Sequence, residues 1–386
     1  MALRDGRAAV GLAARTERRR VGRGPARKIG RARRGAASAG ERARLGRGHR
    51  EPGRAVRLRR PPGHRRGARR SPPSEEGVPR VSGLPPYVRG TVVTVGTFDG
   101  VHLGHQAILR DVRRRARARN GRAVLLTFDP HPLRVVRPEA APPLLTLPNE
   151  KKEILAELGL DYVAFVAFTP EFSRYSPAEF LDGIVVPRFR PAEVVIGYDH
   201  GFGRGRAGDV SVLERLGGIH GFEVSVVGGV ETDGSTISST RVRGAVASGD
   251  MEGAAAGLGR PYSFRGTVIR GMGRGRALGF PTANLTPPPP GKLLPAEGIY
   301  AVRATLGSER VDGLLHLGPR PTFSDAPPAI ELFLLDFQRD IYGEHVIVDV
   351  LHRLREVRAY ESGDDLAAQM RRDLADGLEY FRERGG

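Results

Sequence analysis

The chain has 386 residues and a formal net charge of +19, from 62 Lys and Arg against 43 Asp and Glu. No cysteine is present, which excludes disulfides, a thiolate nucleophile and cysteine-based zinc sites. No stretch approaches the roughly 18 apolar residues of a membrane span. We therefore expect a cytoplasmic protein, and the length favours two domains.

The basic charge is confined to the first part of the chain. Residues 1–80 hold 25 of the basic and 6 of the acidic residues, so the remainder carries no net charge. This segment is rich in Arg, Gly, Ala and Pro and contains no Phe, Trp or Tyr, and we predict that it is a disordered extension. A transit peptide and an arm that binds nucleic acid or membranes are the alternatives to an extension without function. We favour an extension without function. Proline and glycine would disrupt the amphipathic helix of a transit peptide.

From residue 91 to about residue 245, strand-like and helix-like segments alternate. This alternation predicts βαβ units and a mostly parallel sheet, which binds its ligands at the carboxyl ends of the strands. The predicted strands are 91–95, 123–128, 162–168, 192–196 and 222–227, and the predicted helices are 103–119, 149–158, 177–184 and 210–216.

From about residue 261 to residue 350, short strands are separated by Gly and Pro turns with no helix between them. This pattern is typical of an antiparallel barrel. A helix is predicted over residues 363–384, and the domain boundary falls near 249–260. The predicted organisation is therefore an extension, 1–80, followed by domains at 81–250 and 251–386.

Residues 91–105, TVVTVGTFDGVHLGH, combine a strand, a glycine-containing loop and a helix start. This geometry turns backbone N–H groups and the positive end of a helix toward a phosphate. Two histidines lie three residues apart where the helix begins, so both can approach one anion. The predicted phosphate site contains Gly96, Thr97, Phe98, His102 and His105.

The loop carries the His-x-Gly-His signature of the nucleotidylyltransferase superfamily, and residues 237–243, ISSTRVR, resemble its ISSTxxR element. The resemblance implies that the two histidines stabilise charge at the α-phosphate of ATP, and that Gly104 leaves space for adenine or ribose. Catalysis of this kind depends on positioning and charge neutralisation. Taken alone, ISSTRVR is also compatible with a capped helix start. The implied contacts to the β- and γ-phosphates are Ser238, Ser239 and Thr240, with Arg243 or Arg241 as counter-charge.

Two further segments narrow the resemblance. Residues 127–132, TFDPHP, and 197–203, GYDHGFG, look like elements of the FAD synthetase domain of bacterial bifunctional riboflavin kinase/FAD synthetases. His131 is also compatible with a capped turn. Asp199 and Phe202 are also compatible with ordinary loop residues. The family pattern implies cofactor-binding roles for Asp129, His131, Asp199 and Phe202.

Residues 273–284, GRGRALGFPTAN, resemble the riboflavin kinase signature G-x-G-R-x-x-G-F-P-T-A-N. The chain has no GxxxxGK[ST] P-loop, so phosphate contacts must come from this different glycine-rich loop. The family pattern implies Thr282 and Asn284 as Mg²⁺ ligands, since hydroxyl and amide oxygens are hard donors. The other implied nucleotide contacts are Gly273, Gly275, Arg276, Gly279 and Pro281.

Glu331 lies within a predicted strand, AIELFLLDF, and the family's catalytic base is the glutamate of this strand. A strand glutamate that faces outward is the alternative. The chain departs from the family at His316, where asparagine is usual, and at Phe333, where histidine is frequent. These departures leave open an adenylyltransferase with a degenerate kinase domain.

The resemblance covers roughly residues 91–384. It implies an α/β nucleotidylyltransferase domain with a parallel sheet, followed by an antiparallel β-barrel riboflavin kinase domain with a C-terminal helix. The implied enzyme phosphorylates riboflavin to FMN and adenylylates FMN to FAD, with ATP as co-substrate and Mg²⁺ as cofactor. We expect no nucleic-acid or membrane partner, and the sequence gives no signal for an oligomeric state. A nucleic-acid-binding protein acting through residues 1–80 is the alternative from another class.

Overall fold

The computed structural model describes residues 55–57, 89–198, 201–232, 234–271, 275, 279–319 and 329–384. All of them belong to one structural unit, residues 51–386. We call residues 89–258 the sheet half and residues 259–384 the barrel half. Within the described ranges, no helix is both long and apolar enough to cross a membrane.

The sheet is built from β1 Ala55–Arg57, β2 Thr91–Val95, β3 Ala123–Asp129, β4 Tyr162–Ala167, β5 Pro191–Gly197 and β6 Glu223–Val227. Its strand order is β1-β4-β3-β2-β5-β6. Strands β2 to β6 pair in parallel, as predicted, and β1 adds antiparallel to β4 at one edge. Strand β1 falls within the extension predicted to be disordered; the rest of residues 1–80 lies outside the described residues, and its disorder stays a prediction.

The helices of the sheet half are α1 Leu103–Ala118, α2 Pro132–Val136, α3 Pro148–Glu157, α4 Pro177–Phe180, α5 Val186–Phe189, α6 Val210–His220, α7 Ser239–Ser248 and α8 Met251–Leu258. A π-helical turn, Leu181–Val185, makes α4 and α5 continuous. A short hairpin, β7 Glu231–Thr232 and β8 Ser235–Thr236, precedes α7. Sequence patterns gave neither this hairpin nor α8.

The barrel is built from β9 Tyr262–Ile269, β10 Ala283–Leu285, β11 Gly298–Leu306, β12 Glu309–Gly318, β13 Ala329–Leu334 and β14 His345–Arg355, and the chain continues into α9 Gly363–Arg384. The strands close in the order β10-β13-β12-β11-β14-β9, and every pair is antiparallel. The predicted fold class is confirmed. Strand β10 was not predicted, because three residues beside a proline give no alternating pattern.

Hydrophobic side chains bury both faces of the sheet and the interior of the barrel. The barrel cluster also includes Val246 of α7 and Met251 of α8, both fully buried. They join Tyr262, Phe264 and Tyr300, which are also fully buried. Since burying one large apolar side chain stabilises a fold by about 1.5–3 kcal/mol, this shared cluster fixes α7 and α8 against the barrel.

Candidate active sites

The loop between β2 and α1 is held in an uncommon backbone conformation. Phe98 and Val101 have φ values of +49° and +44°, in the left-handed region that non-glycine residues rarely adopt. His102 caps α1: its Nδ1 accepts the backbone N–H of His105 at 3.4 Å. The two imidazoles are stacked with centroids 3.7 Å apart, and the Phe98 ring lies 4.7 Å from that of His105. The predicted loop residues thus form one compact cluster at a helix N-terminus.

His105 is held in its neutral form by its surroundings. Burial lowers its pKa well below the ordinary value of 6.5, and positive charge at His102, Lys151 and Arg243 lowers it further. Its Nδ1 is buried and has no hydrogen-bond partner among the described residues. A neutral imidazole has one N–H donor and one lone pair, so this ring can donate to a ligand oxygen near neutral pH.

Helix α7 brings the ISSTRVR segment onto the histidine loop, as the paired motifs predicted. The Ser239 hydroxyl donates to the backbone carbonyl of Asp99 at 3.0 Å. Arg243 Nη2 lies 2.8 Å from Asp99 Oδ2, and its Nε donates to Pro143 O. The buried Asp99 carboxylate also accepts the backbone N–H groups of Leu145 and Thr146. Arg243 therefore neutralises Asp99 and joins α7 to the loop.

The other residues predicted around the phosphates occupy distinct places on α7. Ser238 caps the helix by accepting the N–H of Arg241, and Thr240 is exposed in the first turn. Arg241 points the other way, since it donates to the carbonyls of Thr232 and Ser235 in the hairpin. A Cβ on Gly104 would lie 3.2 Å from the His102 ring, so glycine here leaves room for that imidazole.

The TFDPHP segment lies at the carboxyl end of β3. His131 caps α2 by accepting the N–H of Leu133, and burial lowers its pKa to about 4. The alternative of a capping histidine therefore describes its local role. Asp129 is exposed, and its carbonyl accepts the N–H of Phe168 at 3.2 Å. That bond joins the segment to a chain of aromatic contacts: Phe128, Phe168, Phe172, Tyr175, Phe180 and Phe202.

Phe202, predicted to bind cofactor, packs in the hydrophobic core of the sheet half with only 8% of its surface exposed. Asp199 lies outside the described residues.

Lys151 of α3 is a site residue that sequence reasoning missed. It is buried, and its ammonium donates to the carbonyl of Thr97 at 2.8 Å and lies 3.4 Å from Thr127 Oγ1. Burial lowers its pKa, although the carboxylates of Asp99 and Asp129 oppose the effect. In the sequence it stands beside Lys152, and nothing local distinguishes the two lysines.

In the barrel half, strand register assembles the predicted kinase residues. Asn284 of β10 pairs with Glu331 of β13, and His316 of β12 pairs with Glu331 from the other side. His316 Nδ1 lies 3.8 Å from Glu331 Oε2, and a quarter of the Glu331 side chain is exposed. Glu331 therefore stands beside Asn284 in the barrel wall and keeps access to solvent. Phe333, the second departure from the family, packs edge-on against Phe280 at 5.7 Å.

The described part of the glycine-rich loop folds tightly over the start of β10. Gly275 accepts the N–H of Phe280, and a Cβ there would lie 2.4 Å from Phe280 O and 2.9 Å from Thr282 Oγ1. Gly279 has a φ of +84°, which favours glycine. Pro281 and Thr282 lead directly into the strand. Gly273 and Arg276 lie outside the described residues.

The oxygen atoms near β10 suit a hard cation. Thr282 offers a hydroxyl, Asn284 an amide and Glu331 a carboxylate, which are ligand types of Mg²⁺. Within the described ranges, no group of three or more acidic or histidine side chains is placed to hold a metal ion. A hydroxyl and an amide oxygen suit a cation that also binds substrate phosphates, as Mg²⁺ usually does.

Comparison with known proteins assigns a family to each half of the chain. The family model for FAD synthetase matches residues 84–241, and the family model for riboflavin kinase matches residues 258–381. A curated relative from Escherichia coli K12, named bifunctional riboflavin kinase/FMN adenylyltransferase, is 36% identical over 293 residues, 76% of this chain and 93% of the relative. The chain belongs to this family. The resemblance drawn from the motifs is confirmed.

Other bifunctional riboflavin kinase/FMN adenylyltransferases align over nearly their full length. The relative from Listeria monocytogenes is 36% identical over 75% of this chain and 92% of its own, and that from Bacillus subtilis is 32% identical over the same shares. A solved structure from Streptococcus pneumoniae, described as a macrolide-efflux protein, matches with a TM-score of 0.67 and 31% identity. It covers 74% of this chain and 93% of its own, so the shared fold extends over both halves.

Proposed function

We propose that the protein phosphorylates riboflavin with ATP in the barrel half and adenylylates the resulting FMN with a second ATP in the sheet half. The products are FAD and pyrophosphate. The observation that carries the proposal is the convergence of separated motifs: α7 docks on the histidine loop, and Asn284 pairs with Glu331. Both family matches support it.

In the sheet half, a phosphate oxygen of FMN attacks the α-phosphorus of ATP, and the bond from that phosphorus to the pyrophosphate oxygen breaks. Nothing is transferred to the protein, so its contribution is positioning and charge stabilisation. Because His102 Nδ1 accepts a backbone N–H, Nε2 carries a proton and can donate it to an α-phosphate oxygen. The His105 ring, which is stacked on that of His102, donates a second hydrogen bond to the α-phosphate. Ser238, Ser239 and Thr240 would hold the remaining phosphates.

The flavin end of FMN needs a flat apolar surface. Phe128 lies near the end of β3, Phe168 and Phe172 follow β4, and the three rings contact one another in edge-to-face and tilted arrangements. The backbone N–H of Phe168 donates a hydrogen bond to the carbonyl of Asp129 in the TFDPHP segment, which joins this aromatic group to that segment. We assign the isoalloxazine ring to this surface, since aromatic side chains combine large area with defined geometry.

In the barrel half, Glu331 takes the proton of the riboflavin 5′-hydroxyl as that oxygen forms its bond to the γ-phosphorus and ADP leaves. Bound with ATP, Mg²⁺ would neutralise the phosphate charge there. Thr282 and Asn284 would hold it, and Gly273, Gly275, Arg276, Gly279 and Pro281 would surround the phosphates.

Two substitutions separate the activities. Purified variants are incubated with MgATP and either riboflavin or FMN, and the flavins are separated by chromatography. His105→Ala lowers FAD formation by about 100-fold or more, so FMN accumulates. Glu331→Gln lowers FMN formation by about 10²- to 10⁴-fold and leaves the conversion of supplied FMN to FAD unchanged.

His220→Ala and Glu309→Gln are matched controls, because these residues make ion pairs outside both sites. Both controls should keep the parent rates. If Glu331→Gln makes FMN at the parent rate, the assignment of the base is wrong. A parent protein that adenylylates FMN but never phosphorylates riboflavin would instead have a degenerate kinase half.

A further inference from the structure

Lys151 occupies an unusual position for a lysine. Its side chain enters the sheet half from α3 and ends beneath the loop that carries His102 and His105, with 8% of its surface exposed. Isolated buried charges are costly, so a buried ammonium normally has an ionic partner. Among the described residues, no carboxylate lies within salt-bridge distance of it. Its hydrogen bonds go to two neutral oxygens instead, those of Thr97 and Thr127.

The carbonyl of Thr97 receives two donors. Lys151 Nζ lies 2.8 Å and Thr127 Oγ1 lies 3.0 Å from this oxygen. Because a peptide unit is planar, fixing this carbonyl also fixes the N–H of Phe98. Phe98 then turns at a φ of +49° and places its ring 4.7 Å from His105. The two donors therefore hold a backbone conformation that Phe98 would not prefer on its own.

The same ammonium contributes to the electrostatics of the site. The groups that shift the pKa of His105 are His102 beside it, Lys151 from α3 and Arg243 from α7, and all three lower it in addition to burial. The charge of Arg243 is balanced by its ion pair with Asp99. Lys151 makes no such ion pair: the carboxylates of Asp99 and Asp129 raise its pKa only through space, so its positive charge is less fully balanced than that of Arg243.

We propose that Lys151 is a positioning residue of the adenylyl-transfer site: its ammonium fixes the Thr97 carbonyl, so that the Phe98 ring keeps its contact with His105, and holds a positive charge beside the two histidines. The proposal rests on the adenylyl transfer proposed above. It predicts that a neutral side chain of similar length damages FAD formation and leaves riboflavin phosphorylation intact, because the barrel residues lie on other elements.

The test compares Lys151→Met with Lys151→Arg and with Lys152→Met. Lys152 is the next residue of α3, is half-buried and lies 5.2 Å from the Phe165 ring centroid, so its substitution is a matched control. For Lys151→Met, kcat for FAD formation from supplied FMN should fall by about 10- to 100-fold, as expected for lost positioning. The kinase rate should stay within about twofold of the parent. Lys151→Arg keeps the charge and should recover most of the loss.

A second readout does not depend on activity. Removing the nearby positive charge should raise the pKa of His105 toward 6.5, and a ¹H–¹⁵N titration of the histidine rings measures it. A general loss of packing would not predict this shift, and Lys152→Met should not reproduce it. The proposal is overturned if Lys151→Met forms FAD at the parent rate, or if the titration midpoint of His105 does not move.

Thr127→Val provides an independent variant in case Lys151→Met also loses the kinase activity through misfolding. It removes the second donor to the Thr97 carbonyl and leaves the ammonium in place, so kcat for FAD formation should fall about threefold to tenfold. If Thr127→Val forms FAD with the kcat of the parent, the proposal that a fixed Thr97 carbonyl positions the site is overturned. Failure of the proposed adenylyl transfer would look different, because the parent itself would form no FAD from FMN.

Discussion

Lys292 and Glu150 form a buried ion pair that joins the barrel half to α3. Lys292 Nζ lies 2.8 Å from Glu150 Oε2 and donates to Leu145 O at 2.7 Å, and the two side chains are 1% and 8% exposed. The ammonium also lies 4.7 Å from the Tyr262 ring centroid. Burial lowers the pKa of Lys292 despite the opposing effect of Glu150, so desolvation outweighs the attraction. The pair is therefore costly to bury and more costly to break.

We predict that Lys292→Met destabilises the protein by about 3–5 kcal/mol, because it leaves the Glu150 carboxylate buried without its cation. Arg265→Met is the matched control. Arg265 of β9 pairs with Glu153, also of α3, but those side chains are 38% and 56% exposed. Breaking an exposed pair should cost less than about 1 kcal/mol.

Adding Glu150→Gln to Lys292→Met should recover at least half of the lost stability, because no unpaired carboxylate remains. The glutamine oxygen can still accept the N–H of Leu147 that Glu150 accepts at the start of α3. Stability is measured from urea transitions followed by far-UV circular dichroism, since the chain has no tryptophan, and from calorimetric Tm values. Equal losses for Lys292→Met and Arg265→Met, or a double variant no more stable than Lys292→Met, would refute the reasoning.

Two further predictions concern His131 and the N-terminal extension. His131 should titrate near pH 4 by NMR. Because its pKa in the folded protein lies below 6.5, the free energy of unfolding should fall as the pH falls from about 6.5 to 4. His131→Asn should reduce that loss of stability. A midpoint near 6.5 would show that the ring is solvated. Removing residues 1–80 should leave both activities within about twofold of the parent, because no predicted site residue lies there. A loss of FAD formation on truncation would instead give the extension a role.

The sequence predicted the two folds through different periodicities. Strand–helix alternation indicated the parallel sheet, and the strand run without helices indicated the barrel. Both signals are local, because they depend on which face of a short segment is apolar. Helix α8 was missed because its small residues (MEGAAAGL) give little contrast between faces, and β7, β8 and β10 are too short to show a period.

The sequence by itself also determined the chemistry, because its motifs lie in short strand–loop–helix or loop–strand segments that keep their geometry wherever they occur. It left Arg243 and Arg241 as alternative counter-charges for the phosphates. In the fold they separate, because two residues along a helix differ by about 200° in direction. One holds the β7–β8 hairpin and the other pairs with Asp99.

Only the tertiary structure decided which residues meet. Strand register placed Asn284 and His316 on either side of Glu331, and burial distinguished Lys151 from the neighbouring Lys152. It also showed that Lys292, in a loop between barrel strands, is paired with α3. Such contacts join residues on different strands, helices and loops, so they follow from the packing of whole elements and leave no trace in the local sequence.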